Sequence, residues 1–375
     1  MAPTIAAEYS SRNIYYKVEP GTSPLNNAER LWRDQQSWLK ERGYLFRPRY
    51  QSDWIPSWTT DISREEKRKA EDRLHGIFGP VMDVTRMSDG SFVLLKHTYM
   101  GEHRDEVEIT KFFSSEPIKT DPRNHCVPLL DVFPFPHHPD DFILVLPLLK
   151  EFDGPRFETF GEAMSAFTQL FEGLQFMHEH NVAHRDWTAQ NIMMDATALY
   201  RHPYHPAKPS RRRDWKGKAK AYTRTQRPVK YYLIDFGFSI KFDPEEPRLA
   251  YPSLGGDKTV PEHVPELHGT PCNPFQTDVY YIGNLIRLSF LQRYWGFGFM
   301  KPLIADMVQV DMAKRPTMDE VVTRFHKIRD GLSWWKLRSR LVERKEFFVY
   351  PWRTARHWYL TATYVATGKA AIPAP

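Results

Sequence analysis

The sequence predicts an α+β fold in two lobes, a small antiparallel sheet with one helix followed by a larger, mainly helical lobe. At 375 residues the chain exceeds one average domain. Residues 74–96 alternate as two strands around an Asp89-Gly90 turn, which predicts a hairpin. Residues 160–180 predict a long buried helix, because apolar side chains recur at helical spacing at Met164, Phe167, Leu170, Phe171, Leu174 and Met177.

Composition excludes several classes of protein. Hydrophobic residues make up 41% of the chain and aromatic residues 14%, which argues against global disorder. No apolar run reaches the ~18 residues that a membrane-spanning helix needs, and the first residues lack the apolar core of a signal peptide. We therefore expect a protein of the cytoplasm, the nucleus or both, without a membrane span. Its two cysteines, Cys126 and Cys272, are expected to be unpaired packing residues.

Positive charge is concentrated in one segment. Residues 196–230 contain eleven Lys or Arg and one acid, a net +10, which leaves −4 for the rest of a chain whose total is +6. Residues 201–230 also lack apolar periodicity, so we expect a solvated, mobile loop. Such a basic insert is dense enough to contact a polyanion or an import receptor, and the alternative is a tether without a partner.

The chain divides into four predicted parts. Residues 1–62 form an N-terminal extension with a flexible start. A helix over 26–42 follows, and the capping box of Asn26 and Glu29 marks its beginning. An aromatic strap over 44–58 completes the predicted elements of this extension. Residues 63–148 form the small lobe, to which 126–133 and 142–149 contribute two more strands. Residues 149–332 form the large lobe with the insert 196–230. Residues 333–375 form an aromatic extension that packs on the large lobe and ends in a loose Ala-rich tail.

Two motifs in the large lobe contain polar residues of the types used in catalysis. His184-Arg185-Asp186 follows an apolar run, with Asn191 five residues after the Asp, and Asp235-Phe236-Gly237 ends a later apolar strand. Phosphoryl transfer needs a carboxylate to orient the attacking hydroxyl and oxygen ligands for Mg²⁺, and Asp186, Asn191 and Asp235 offer both. The two stretches resemble the catalytic loop and the metal-binding loop of protein kinases.

The resemblance implies a bilobal protein-kinase-like fold and the roles of further residues. Lys96 resembles the lysine that holds the α- and β-phosphates of ATP, and a glutamate on the helix that follows would pair with it. We choose Glu106 over Glu108, because Glu106 shares a helix face with apolar residues. The implied cofactors are ATP and Mg²⁺, with Asn191 and Asp235 as metal ligands. The implied nucleotide contacts are Gly76 and Gly79 of a glycine-rich flap, Val81, Lys96, Leu146, Leu148, Asn191 and Asp235.

Later motifs fit the same family, and a few positions depart from it. Asp278 and Arg315 resemble structural residues of the large lobe, and either Glu262 or Glu266 closes the activation segment. Leu74 and Leu94 replace smaller residues around the adenine, and Thr188 stands where serine/threonine kinases usually place Lys.

The leading functional hypothesis is a protein kinase with a protein substrate, Ser/Thr favoured over Tyr. The alternative is a pseudokinase-like binding or scaffold module with weak or no turnover, and a third class transfers phosphate to a small molecule. Arg185 is either a receptor for a phosphate on the activation segment or a donor to backbone carbonyls. The oligomeric state is not indicated.

Overall fold

The computed structural model describes residues 25–58, 63–76, 79–99, 101, 104–136, 138–264, 269–346 and 351–375. The strands are β1 Tyr44–Phe46, β2 Val81–Arg86, β3 Phe92–Tyr99, β4 Asp131–Phe135, β5 His138–Pro147, β6 Lys150–Glu151, β7 Val182–Ala183, β8 Ile192–Met194, β9 Tyr204–His205, β10 Lys208–Arg212, β11 Tyr231–Leu233 and β12 Ile240–Lys241. The α-helices are α1 Asn27–Asp34, α2 Gln36–Glu41, α3 Arg64–Lys69, α4 Arg104–Phe113, α5 Phe160–Glu179, α6 Pro274–Ile286, α7 Lys301–Met307, α8 Met318–Asp330, α9 Trp334–Arg338 and α10 Pro351–Ala366.

The described chain forms two compact units. Unit 1 takes its residues from 1–99, 129–148 and 200–220, and unit 2 from 100–128, 149–199 and 221–375. The sequence predicts α4 as part of the small lobe, whereas the structure groups α4 with unit 2. Its apolar side explains this grouping, because the Phe113 ring lies 6.0 Å from Phe176 and 6.1 Å from Phe236, both in unit 2.

Unit 1 is built on one antiparallel sheet with the strand order β1-β2-β3-β5-β4. The predicted hairpin is confirmed as β2 and β3, with Gly90 at a φ of +70° in its turn. Residues 74–76 and 79–80 precede β2 instead of forming part of a strand. One face of the sheet packs Met82, Val84, Val93, Leu95, Ile143 and Val145 into an apolar core with Trp32 and Leu39.

The predicted N-terminal extension belongs to this core. The capping box of Asn26 and Glu29 is confirmed, although the helix is interrupted at Gln35 between α1 and α2. The expected strap over 44–58 is wrong in its first part, because Tyr44–Phe46 pairs with β2 as an edge strand. Tyr50 is fully buried. Residues 1–24, expected to be flexible, lie outside the described residues.

The segment that connects β1 to β2 spans residues 47–80. These two strands are neighbours in the sheet, so the connection joins paired strands. It contains α3 and two short 3-10 turns, Pro48–Tyr50 and Glu71–Arg73. The predicted flap residues Gly76 and Gly79 lie at the end of this connection, and residues 59–62, 77 and 78 lie outside the described part.

The basic insert is folded, which corrects the expectation of a mobile loop. Within unit 1, β9 and β10 pair antiparallel, His205 is buried and bonds to Glu71 at 2.8 Å, and the Trp215 Nε1–H donates to the Lys69 carbonyl at 2.6 Å. Within unit 2, Arg224 donates to the carbonyls of Phe152 and Pro155 at 2.7 and 2.6 Å. Several of the cations thus serve as partners for buried acceptors, which the charge count alone does not reveal.

Unit 2 is organised around α5, as predicted. The six apolar residues of its stripe, Met164, Phe167, Leu170, Phe171, Leu174 and Met177, are all fully buried. Beside it lies a three-stranded sheet of order β11-β8-β6, and α6 and α8 complete the helical part. Cys126 pairs with Leu233 in an isolated bridge, so residues 126–130 are not the start of a strand in the unit 1 sheet. Both cysteines are free.

The C-terminal residues differ from expectation in two ways. The predicted packing of the aromatic extension is incomplete, since Trp335, Trp352 and Tyr359 are largely exposed and α10 instead buries His357, Thr361 and Tyr364. The tail expected to be loose packs on α5, where the Ser165 hydroxyl donates to the Pro373 carbonyl at 2.5 Å. Phe347, Phe348 and Tyr350 lie outside the described residues. Within the described chain, every helix is too short or too polar to cross a membrane.

Candidate active site

Strand pairing in unit 2 brings together the three motif residues. Leu233 of β11 lies opposite Ile192 of β8, and the Ile234 N–H donates to the Asn191 carbonyl at 3.1 Å. Asn191 therefore stands at the start of one strand and Asp235 just beyond the end of its neighbour. Asp186 joins them because the Asn191 side-chain nitrogen donates both to its carbonyl and to its Oδ2, each at 2.8 Å.

The other carboxylate oxygen of Asp186 is also engaged. The Gly256 N–H donates to Asp186 Oδ1 at 2.5 Å. The carboxylate is thus fixed by an amide side chain on one oxygen and by backbone on the other, the kind of orientation that a general base requires. A residue 70 positions away supplies one of these bonds, and sequence reasoning missed it.

Two glycines allow this close approach. A Cβ on Gly255 would lie 2.7 Å from Asp186 Cγ, and a Cβ on Gly256, whose φ is +74°, would lie 2.5 Å from the Tyr281 ring. Lys258 closes the same turn, because its ammonium donates to the carbonyls of Leu254 and Gly255, the latter at 2.8 Å. The segment is therefore held tightly against Asp186.

The electrostatic setting of Asp186 shifts the pKa of its carboxyl group upward. Burial raises the pKa of Asp186, and the negative charge of Asp235 raises it further, against the lowering effects of the Gly256 amide, His184 and Asn191. A carboxylate whose pKa is raised in this way is a candidate for proton transfer.

Asp278 holds the backbone on either side of Arg185. It is fully buried on α6, and its carboxylate accepts from the backbone N–H of His184 at 2.7 Å and of Arg185 at 2.8 Å. Arg185, at a φ of +66°, donates to the carbonyls of Phe238 and Tyr251. Arg185 is thus a donor to backbone carbonyls, the second of its two predicted roles. The sequence marked Asp278 as structural, but its bonds to the backbone of His184 and Arg185 were not predicted.

Glu262 anchors the end of the segment that covers Asp186. It is buried and forms a two-point ion pair with Arg315, at 2.5 and 3.0 Å. The sequence left the choice between Glu262 and Glu266 open. Glu266 lies outside the described residues, and the Arg315 pair gives Glu262 a structural role.

Asn191 and Asp235 both carry side-chain oxygens, the donor atoms that hard cations prefer. The Asn191 contacts above use its nitrogen, so its side-chain oxygen is the atom that could bind a metal, and Asp235 contributes a carboxylate. Asp235 has a φ of +66°, an uncommon conformation for a non-glycine residue and one found at functional sites. In the described part of the chain, no three or more His, Cys, Asp and Glu side chains form a metal cluster. A Mg²⁺ ion here would therefore share its coordination with phosphate and water.

Register places three of the predicted nucleotide residues on one face of the unit 1 sheet. Val81 lies opposite Lys96, and Leu94 lies opposite Leu146. Since side chains alternate along strands, these four residues share the face that points away from the Met82 core. Lys96 lies inside β3 and does not end the strand.

The remaining predicted residues lie as follows. The Gly79 carbonyl accepts from Trp32 Nε1 at 3.1 Å, and the ring of Tyr50 lies beside Gly76, with its hydroxyl 3.3 Å from an ideal Cβ there. The Leu148 N–H donates to the Phe92 carbonyl at 3.4 Å, which extends the edge of the β3–β5 pairing. In unit 2, Glu106 is buried on α4, whereas Glu108 is exposed and pairs with Lys111.

An acidic residue also lies on the predicted nucleotide face. Asp83 is directly opposite Leu94 and is fully buried. Arg47 Nε and Arg213 Nη2 approach its carboxylate at 3.2 and 3.0 Å, and the Arg213 guanidinium stacks over Phe92 at 4.0 Å. Burial lowers the pKa of Arg213, while Asp83 raises it in part. The insert therefore reaches this face, which no local sequence signal indicated.

Comparison with known proteins gives a distant relationship. The chain is 23% identical over 143 residues to cyclin-dependent kinase D-1 of Arabidopsis thaliana. It is kinase-like in sequence over that stretch. The alignment covers 35% of this chain and 35% of the relative, so the chain spans about a third of the length of the curated protein it matches. No protein-family model matches the chain.

Proposed function

We propose that the chain transfers the γ-phosphoryl group of ATP to a hydroxyl of a protein substrate, with Ser or Thr favoured. The observation that carries this proposal is the fixed carboxylate of Asp186, held by Asn191 and the Gly256 amide beside Asp235. The partial kinase-like relationship supports the same reaction class.

In the proposed reaction, Asp186 accepts a hydrogen bond from the substrate hydroxyl and takes its proton as the oxygen–phosphorus bond forms. The bond between the γ-phosphorus and the bridging oxygen of ADP breaks at the same time. Asp278 keeps Asp186 in place by fixing the backbone of the two preceding residues. The raised pKa of Asp186 suits it to hold that proton.

The resemblance assigns the cofactor contacts. When bound, Mg²⁺ would neutralise charge on the phosphates, and Asn191 and Asp235 are the residues that would hold it. Lys96 would contact the α- and β-phosphates, and Val81, Leu94 and Leu146 would contact the adenine.

A transfer assay with labelled ATP tests the proposal. Purified protein with Mg²⁺ and a generic protein substrate should incorporate label, and Asp235→Ala should abolish incorporation. The matched control is Asp243→Ala, an exposed acid eight residues later in the same unit. Absence of transfer by the unaltered protein over a range of substrates would refute the proposal.

A second candidate function is a binding module with little or no turnover. The Asp83 cluster favours it, because Arg47 and Arg213 fill part of the face that would receive adenine. Under this alternative, ATP with Mg²⁺ would not raise the melting temperature even at millimolar concentration, whereas the kinase proposal expects a rise that chelation removes.

A further inference from the structure

The folded insert has two chemically different sides. We use the name insert hairpin for residues 200–220, all of which lie in unit 1. Its inner side buries Tyr204 and His205 and sends Arg213 to Asp83. Its outer side exposes five cations, Arg201, Lys208, Lys216, Lys218 and Lys220. The inner contacts fix the backbone, so the outer cations project from a defined surface instead of a mobile tether.

This surface contains two pairs of like-charged residues, and in each pair the two residues lie opposite each other on neighbouring segments. Arg211 and Lys218 form an antiparallel bridge, and the Arg201 N–H donates to the Lys220 carbonyl at 3.1 Å. Like charges directly opposite on neighbouring strands destabilise the pairing. An anion bound between them would remove that repulsion.

The insert hairpin offers these cations no carboxylate partner. Its single acid, Asp214, is paired with Arg212 at 2.5 Å. Within the described chain, none of Arg201, Arg211, Lys218 and Lys220 forms an ion pair with a carboxylate. The repulsion is therefore left for an external ligand to relieve.

The spacing of the two pairs suits a repeating phosphate. Lys218 and Lys220 are exposed while Ala219 between them is less so, which places both lysines on the same side of an extended chain. Two residues of such a chain span roughly 7 Å. Phosphates on one strand of a duplex recur every 3.4 Å along the helix axis, so the two pairs could each meet a different phosphate of one strand. Arg also binds phosphate through two parallel bonds.

The side chains of this surface do not suit binding to a lipid membrane. Interfacial membrane binding needs apolar side chains that enter the acyl boundary. No large apolar side chain of the insert hairpin is exposed. Trp215 is occupied, because its Nε1–H bonds to the Lys69 carbonyl and Arg211 stacks over its ring at 5.3 Å.

We propose that the outer side of the insert hairpin binds the phosphate backbone of a nucleic acid through the Arg211–Lys218 and Arg201–Lys220 pairs. Binding through phosphates is independent of base sequence and falls steeply with salt. This function is independent of phosphoryl transfer and could place the protein near nucleic-acid-bound substrates.

Fluorescence anisotropy with a fluorescein-labelled 20-base-pair DNA duplex tests the proposal on the full chain. We expect Arg211→Gln/Lys218→Gln to weaken binding about tenfold or more at low salt and to reduce the slope of log K against log salt by about 2. The matched control is Lys301→Gln/Lys369→Gln, which removes the same charge from exposed positions of unit 2 and should leave affinity within about twofold. An equal loss in the control, or no binding by the unaltered protein at low salt, would overturn the proposal.

Folding and ligand class are checked in parallel. Because the substitution relieves a like-charge pair, the melting temperature should hold or rise. If it falls, Arg201→Gln/Lys220→Gln provides the independent test of the same prediction. A poly-glutamate peptide or phosphatidylserine vesicles that bind as tightly as the duplex, and lose affinity in the same variants, would contradict a nucleic-acid partner.

Discussion

Asp278 acts on the proposed reaction through the backbone alone. Its two oxygens accept from consecutive N–H groups just before Asp186, and it is fully buried. Asp278→Asn turns one acceptor into a donor that faces an N–H, so we expect a loss of about 1–3 kcal/mol in the free energy of unfolding. Turnover should fall as well. Urea denaturation measures the first effect and the labelled-ATP assay the second, and the exposed Asp330→Asn is the control. Unchanged stability in Asp278→Asn would show that these bonds are not important.

Gly255 tests the contact between the covering segment and Asp186. The Cβ of Gly255→Ala would lie 2.7 Å from Asp186 Cγ, so either the segment or the carboxylate must shift. We expect kcat to fall about tenfold or more, with little change in the affinity for ATP, since a small misplacement of a catalytic group is costly. Gly298→Ala is the matched control, because its Cβ would meet no atom within 4 Å. Equal kcat values in the two variants would contradict the assigned geometry.

At the scale of elements, Glu29 ties α1 to the segment that follows β1. Its carboxylate accepts from Arg49 Nε at 2.9 Å and from the Tyr50 hydroxyl at 3.0 Å. Burial by itself would raise the pKa of Glu29, but the bonds from Arg49, Asn26 and His75 lower it from 4.5 to about 2. A carboxyl group whose folded-state pKa is depressed stabilises the fold above its unfolded pKa, and that stability is lost as the pH falls toward the folded value.

Glu29→Gln should therefore lower the melting temperature most at neutral pH. The difference from the unaltered protein should shrink as the pH is reduced from about 4.5 to 2, because the native carboxylate is then protonated. Thermal melts across this range measure it, with the exposed Glu41→Gln as control. A difference that stays constant with pH would contradict the ionised state assigned to Glu29.

The insert hairpin should contribute to the stability of unit 1. Arg213→Met leaves the buried Asp83 with Arg47 alone, and removal of one partner from a buried ion pair is strongly destabilising. We expect a loss of about 2–4 kcal/mol in the free energy of unfolding. Lys216→Met, an exposed change in the same segment, should cost less than about 0.5 kcal/mol. Equal stability of the two variants would restore the interpretation of a solvated tether.

Local signals predicted the elements that depend on local chemistry. The Asn26–Glu29 capping box, the Asp89-Gly90 hairpin and the stripe of α5 each lie within a short window, and each is confirmed. The edge strand Tyr44–Phe46 was missed because a run of only three residues, two of them aromatic, carries no strand period, and its partners lie about 40 positions away. The insert was misjudged because Arg213 pairs with Asp83 and His205 bonds to Glu71, and both acids are distant in sequence.

The candidate site likewise contains residues that local motifs predict and residues that they do not. Asp186, Asn191 and Asp235 could be chosen from their motifs, and the structure places Asp186 against Asn191 beside the charge of Asp235. Gly256 could not be chosen, because a pair of glycines 70 residues later has no pattern that links it to a carboxylate. The Arg47 and Arg213 contacts on the predicted nucleotide face were hidden for the same reason.

At the scale of the whole molecule, the proposed phosphoryl transfer depends on Asp186 as its base. The rate of label transfer from ATP by Asp186→Asn, compared with the unaltered protein under saturating ATP and Mg²⁺, tests it most directly. We predict a fall of roughly 10²- to 10⁴-fold with nearly unchanged affinity for ATP, because the amide keeps the shape of the side chain but cannot accept the proton. Transfer at an undiminished rate in Asp186→Asn would contradict this role of Asp186.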